Sequence, residues 1–188
     1  MKITPNDAPL GAVITEIDLV GPVTDAEVTE IEIALGTYGV LCFPDQRLTD
    51  GAQVNFTRRI GPLDVNVASS GMTGDLPEVM VLSNIVRDGK PIGLADAGQD
   101  WHTDMSYSQI PGHATALFAL EVPMENGVPL GDTEFASMYL AYDGLPEDIR
   151  TAIDGRYAVR DFSKFWNYMI EKKGSTRPPL TIEQRRRK

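Results

Sequence analysis

Cysteine is almost missing from this chain. The single Cys42 excludes an intrachain disulfide, and nothing asks for an oxidising compartment. It lies in the apolar run Val40-Leu41-Cys42-Phe43 and is expected to be a small buried hydrophobe rather than a reactive thiol. Long apolar runs are also missing, so no segment reaches the roughly 20 residues of a membrane-spanning helix. Met1 to Pro9 has no charged-then-apolar signal pattern, which makes the cytoplasm the expected compartment. Histidine is scarce: His102 and His113 are the whole supply. Positive charge is thin as well, with 17 Lys and Arg against 27 Asp and Glu and a net charge of −10. The last twenty residues carry +5, leaving −15 on the first 168. So acidic a body argues against nucleic acid as a partner, because phosphate affinity comes from neutralising Lys and Arg. The terminal Arg185-Arg186-Arg187-Lys188 reads as a solvated face or tail. There is no internal repeat and no low-complexity tract.

What is present suits one globular domain over residues 1–188, long enough to bury about two-thirds of its unfolded surface. Ala12 to Leu19 reads as a short strand. Thr24-Asp25-Ala26-Glu27 is a capping box that opens a helix with Val28, Ile31, Ala34, Leu35 and Tyr38 on one face. Gly39 closes it, and Val40 to Phe43 is expected as a buried strand stopped by Pro44. A second helix begins near Thr49-Asp50, carries Val54, Phe56 and Ile60, and ends at Gly61-Pro62. Val79 to Ser83 is expected as a strand, and Arg87-Asp88-Gly89-Lys90 has hairpin-turn chemistry. Thr115 to Val122 is almost wholly apolar and is expected as a central strand covered on both faces. Glu125 to Pro129 is a turn, and Thr133 to Phe135 starts another strand. Helices are expected over Ser137 to Tyr142, Pro146 to Ile153 and Ser163 to Lys173, with a strand from Gly155 to Arg160. Short strands with turns, and helices mostly towards the two ends, predict a mainly β, α+β fold: a double-sheet jelly roll of the kind cupins use.

The chain is organised around Asp100-Trp101-His102-Thr103-Asp104-Met105-Ser106-Tyr107. In an extended strand, side chains at i and i+2 leave by the same face. His102 and Asp104 would then aim an imidazole and a carboxylate into one cavity, as two legs of a two-His-one-carboxylate set on ferrous iron require. Gly131-Asp132-Thr133-Glu134 follows at a distance. His-x-Asp followed by Gly-Asp-Thr resembles the Fe(II)/2-oxoglutarate dioxygenases of the taurine catabolism (taurine/chlorophenoxyacetate) family. The resemblance extends through Gly39-Val40-Leu41-Cys42-Phe43-Pro44-Asp45-Gln46, Gly61-Pro62-Leu63, Val81-Leu82-Ser83-Asn84, Leu117 to Pro123, Ala141 to Pro146, and Arg177-Pro178-Pro179-Leu180-Thr181 to Gln184.

That resemblance implies His102 and Asp104 as iron ligands and Thr133 as a hydrogen-bond donor to the carboxylate of 2-oxoglutarate, with Fe(II), 2-oxoglutarate and O2 as cofactor and co-substrates. Asn84 is a candidate substrate contact, although a strand-end amide bonding the backbone is an equal reading. Asp132 is expected to cap a turn, and His113, after Pro111-Gly112, to be a loop histidine. The implied partner is a small organic substrate; no nucleic acid or membrane is expected, and a homo-oligomer is left open. The family's second histidine and its 2-oxoglutarate arginine fall beyond Lys188, so the chain is expected to lack the last jelly-roll strands and to expose sheet edges. The alternatives are a catalytically incompetent jelly-roll binding module, or a cupin-like metal hydrolase or isomerase. Relatives that bind taurine use a histidine and a tyrosine after the Gly-x-Leu turn. Gly61 to Met72 contains neither, and Asp64 would repel a sulfonate, so taurine is not the expected substrate.

Overall fold

The structure is a computed structural model that describes residues 1–65, 76–98, 100–175 and 177–186. The chain divides into two compact units. The first comprises Met1–Ile60 and Ala116–Arg156, the second Gly61–Thr115 and Tyr157–Lys188.

In the first unit, β1 (Lys2–Pro5) pairs antiparallel with β2 (Ala12–Thr15), Ile3 opposite Ile14. β2 pairs in parallel with β3 (Leu41–Cys42), and α1 (Asp25–Tyr38) is the crossover between them. The capping box forms as expected. The Glu27 amide donates to the Thr24 hydroxyl at 3.2 Å and the Thr24 amide to the Glu27 carboxylate at 2.9 Å, which holds that carboxyl below its ordinary range. Gly39 ends the helix at φ 72°, and its amide bonds the Leu35 carbonyl at 2.8 Å. That positive φ favours glycine, and a Cβ there would also press on the tip of the Leu10 side chain at 2.9 Å. α1 lays Val28, Ile31 and Ala34 on the sheet, where Ile14, Leu19 and Val23 complete the core. α2 (Asp50–Ile60) adds Val54 and brings Phe56 edge-on to Phe43, ring centres 5.9 Å apart. Further along come a hairpin, β6 (Met124–Glu125) with β7 (Val128–Pro129), and two short helices, α3 (Met138–Asp143) and α4 (Glu147–Ile153). Ser137 and Pro146 stand at their N-caps.

The second unit opens with a parallel bridge between Leu82 and Leu94 and a hairpin, β4 (Val86–Arg87) with β5 (Lys90–Pro91). Its turn uses positive φ at Asp88 and Gly89 (50° and 74°), as two-residue hairpins prefer. The main helix is α5 (Phe162–Lys173), capped by the Asp161 carboxylate on the Lys164 amide and ended by Gly174 in the left-handed region. It buries Trp166 and Met169. The Trp166 indole donates to the Pro178 carbonyl at 2.7 Å, and Leu180 packs beside it. A last helix, α6 (Ile182–Arg186), completes the unit.

Several expectations are corrected. Cys42 is exposed, because β3 is a two-residue edge strand and Leu41, not Cys42, packs against the core. Thr115 to Val122 forms no strand, and Leu117 and Leu120 are 63% and 77% exposed. An apolar run becomes a central strand only when neighbours complete its ladder, and among the described residues none does so. Thr133 to Phe135 and Gly155 to Arg160 are irregular for the same reason, and Val79 to Ser83 reduces to the single bridge at Leu82. Among the described residues no helix is long and apolar enough to cross a membrane.

Candidate metal centre

The segment that carries His102 and Asp104 is not the extended strand its spacing suggests. Trp101 to Thr103 are irregular, Asp104 to Tyr107 form a turn, and Met105 takes φ 53°. The Ser108 amide closes the turn on the Met105 carbonyl at 2.9 Å. The two side chains converge all the same, His102 Nε2 lying 3.1 Å from Asp104 Oδ1.

Two neighbours orient the pair. His102 Nδ1 lies 2.7 Å from the Asp100 carbonyl oxygen. A carbonyl only accepts, so Nδ1 carries the hydrogen, and Nε2 of a neutral ring presents its lone pair to the carboxylate. On the other side the Thr115 hydroxyl donates to Asp104 Oδ2 at 2.8 Å and leaves Oδ1 turned to the imidazole. A lone pair and a carboxylate oxygen 3.1 Å apart repel unless a proton or a cation stands between them. Both side chains are about half exposed, so the ion pair alone contributes little to stability and the donors stay accessible.

The donor chemistry, one imidazole nitrogen and one carboxylate oxygen, fits ferrous iron. It is two-thirds of a facial set. Among the described residues no group of three or more His, Cys, Asp or Glu side chains is placed to hold a metal. His113 is exposed in an irregular segment. Asn84 is exposed, and no hydrogen bond among the described residues joins its amide to His102 or Asp104. Thr133 and Asp132 lie in the first unit, exposed and after Gly131 at φ 78°. Asp64 is exposed and accepts from the Val65 amide, while residues 66–72 of the proposed sulfonate-contact region lie outside the described residues.

Sequence reasoning missed Thr115, which reads as the polar start of an apolar run, and the cluster around Arg177. The Arg177 side chain is 3% exposed and reaches Asp96 Oδ1 at 2.6 Å. Its Nε donates to the Ser175 hydroxyl at 2.8 Å, and its guanidinium stands 4.6 Å over the Trp166 ring. Burial pushes the Asp96 carboxyl up, but the Ser175 hydroxyl and the Arg177 guanidinium outweigh it and hold it below the usual aspartate value. The only advance signal was an arginine next to two prolines, which names no partner.

Comparison with known proteins gives the family of the chain. The chain matches the "Taurine catabolism dioxygenase TauD, TfdA family" over residues 2–187. It is 36% identical over 166 residues to pentalenolactone F synthase of Streptomyces arenae, covering 85% of this chain and 54% of that one. It is 34% identical over 153 residues to the alpha-ketoglutarate-dependent 2,4-dichlorophenoxyacetate dioxygenase of Cupriavidus pinatubonensis, covering 76% and 52%. Among solved structures, a taurine dioxygenase from Burkholderia xenovorans superposes with a TM-score of 0.59 at 23% identity, over 84% of this chain and 54% of that one. AAD-2 in complex with Mn(II) and N-oxalylglycine gives 0.54 at 24%, over 82% and 50%. The chain spans about half the length of the curated relatives it matches. On the match over nearly all of its residues, the chain belongs to the taurine catabolism dioxygenase family, TauD/TfdA.

Proposed function

We propose that this chain carries the iron-binding half of a 2-oxoglutarate-dependent dioxygenase that hydroxylates a small organic substrate. The observation that carries the reading is the convergence of His102 Nε2 and Asp104 Oδ1 at 3.1 Å, which brings one imidazole donor and one carboxylate donor to a single accessible point. His102 Nε2 and Asp104 Oδ1 would hold ferrous iron, and a third donor from outside the described residues would complete the face. When bound, the metal with 2-oxoglutarate and O2 supplies hydroxylation of a C–H bond, and 2-oxoglutarate leaves as succinate and CO2. The chain's own part is placement. The Asp100 carbonyl fixes the imidazole tautomer, the Thr115 hydroxyl fixes the carboxylate, Thr133 would donate to 2-oxoglutarate, and Asn84 would face the substrate.

In this reading the two compact units are parts of a single cytoplasmic domain of jelly-roll type, and the exposed run from Leu117 to Val122 is the place where further strands pair. The solved relatives support that fold. The substrate is a carboxylate, an amine or a neutral aliphatic compound rather than taurine. The acidic body and Asp64 support this, as do relatives named for phenoxypropionate and dichlorophenoxyacetate, both carboxylates. A second reading is favoured by the two-donor set: a binding module without turnover.

The test, made on a form of the protein in which the third donor is supplied, is succinate release from 2-oxoglutarate with Fe(II), across a panel of carboxylates, amines and taurine, alongside His102→Ala and Asp104→Ala. The proposal expects stimulation by a non-sulfonate and loss of turnover by at least about a hundredfold in both variants. Turnover unchanged in either variant removes the pair from the mechanism, and taurine as the best stimulant overturns the substrate reading. No turnover with any compound favours the binding module.

A further inference from the structure

The residues that carry His102 and Asp104 have no helix or strand of their own, yet the segment around them is tied at two points to one helix and at a third to the arginine just beyond it. Asp96 pairs with Arg177 at 2.6 Å, Asp100 with Lys173 at 3.6 Å, and the Tyr107 ring packs on Phe162 with centres 4.4 Å apart. These partners run in opposite order. As the segment goes forward from Asp96 to Tyr107, its contacts go back from Arg177, just beyond α5, to Phe162 at the helix start. His102 and Asp104 lie between the second tie and the third. We propose that α5 and the Arg177 that follows it form a splint that sets the end-to-end distance of the ligand segment. Arg177, Lys173 and Phe162 are then positioning residues for the metal pair.

Lengths support this. From Phe162 to Lys173 the helix rises about 16 Å at roughly 1.5 Å per residue. The seven steps from Asp100 to Tyr107 could span about 24 Å if extended, at roughly 3.4 Å each. Fixing the ends at the shorter distance leaves slack, and the turn at Asp104 to Tyr107 takes it up. The two-residue spacing keeps the His102 ring and the Asp104 carboxylate close, and the ties hold the chain on either side of that pair. The middle tie acts on the residue whose carbonyl orients the imidazole, because Asp100 bonds Lys173 through its side chain and His102 Nδ1 through its backbone. The outer tie is the firm one: a buried guanidinium, stacked on Trp166, holds Asp96 from 81 residues away in sequence. The Lys173 tie is half exposed and weak by itself, so it acts as a trim on a distance the other two have set.

The inference rests on the metal reading for its purpose, but its test does not. In the unaltered chain, 15N relaxation should give amides 101–107 order parameters near the rigid value of about 0.85. In Asp96→Asn, Lys173→Gln and Phe162→Leu they should fall, towards about 0.6 or below in Asp96→Asn, while α1 stays rigid. Lys173→Arg should behave as the unaltered chain. Co(II) titration, read by its visible absorption, should give a Kd about tenfold higher for Asp96→Asn and Phe162→Leu. If Asp96→Asn fails to fold, the Lys173→Gln and Phe162→Leu pair decides. Order parameters of 101–107 already low in the unaltered chain, or unchanged in the folded variants, overturn the splint. If the unaltered chain binds no Co(II), the metal reading falls and the order parameters still decide the splint.

Discussion

Replacing Arg177 by methionine tests the buried ion pair of the second unit. Methionine keeps much of the volume over Trp166 but removes the charge that faces Asp96. The Asp96 carboxylate would stay four-fifths buried, and its Oδ2 already has no hydrogen-bond partner. Breaking a buried pair from one side costs about 3–5 kcal/mol, and losing a cation over an indole about 0.5–2 kcal/mol more. The fifth of Asp96 that reaches water offsets part of this, so Arg177→Met is expected to cost about 3 kcal/mol in all. Adding Asp96→Asn removes the stranded charge and should recover about 2 kcal/mol, a coupling that only contacting residues show. Urea unfolding followed by tryptophan emission measures it, because Trp166 is buried beside Arg177 while Trp101 is 69% exposed. A loss below about 0.5 kcal/mol, or a double variant equal to the sum of the singles, would refute the reasoning. The acid limb gives an independent check. The folded Asp96 carboxyl titrates below the ordinary value of 3.8, so the folded state gives up this proton more readily than the unfolded chain. Its stabilisation is whole above 3.8 and is lost as the pH falls from there through the folded value. The Asp96→Asn variant should lack that part of the acid loss.

Two further outcomes follow from the site and its surroundings. Thr115→Val removes the hydroxyl from Asp104 Oδ2 without changing shape, and should weaken Co(II) binding about tenfold to a hundredfold at nearly unchanged melting temperature, with Thr115→Ser binding normally; equal affinity in the valine variant would show that the carboxylate needs no such support. Gly93→Ala would place a Cβ 2.5 Å from the Val81 carbonyl oxygen and 3.0 Å from the Ser83 amide nitrogen, inside the bridge that Leu94 makes; thermal unfolding should show a loss of about 1–3 kcal/mol, and a neutral substitution would mean the two backbone segments are farther apart.

The features that the sequence determined by itself are those settled within a few residues. Thr24 and Glu27 bond each other's backbone, Gly39 and Gly174 take conformations that other residues resist, and Asp88-Gly89 and Asn126-Gly127 turn with positive φ. Such bonds span at most four residues and need no third party, so they can be read from spacing. The adjacency of His102 and Asp104 belongs with them, since two positions apart keeps the side chains close on a strand or on a turn. Tertiary structure decided the rest, because burial depends on what arrives from elsewhere in the chain. Cys42 lies in an apolar run and is exposed, since its strand is an edge. Leu117 and Leu120 look like core and face solvent, because no neighbour among the described residues completes their ladder. The Arg177–Asp96 pair joins residues 81 apart, and Thr115 reaches Asp104 from eleven positions away. No periodicity encodes those meetings. The first of them exists because α5 packs Trp166 inward and the chain just beyond it carries Arg177 to a carboxylate that burial would otherwise penalise.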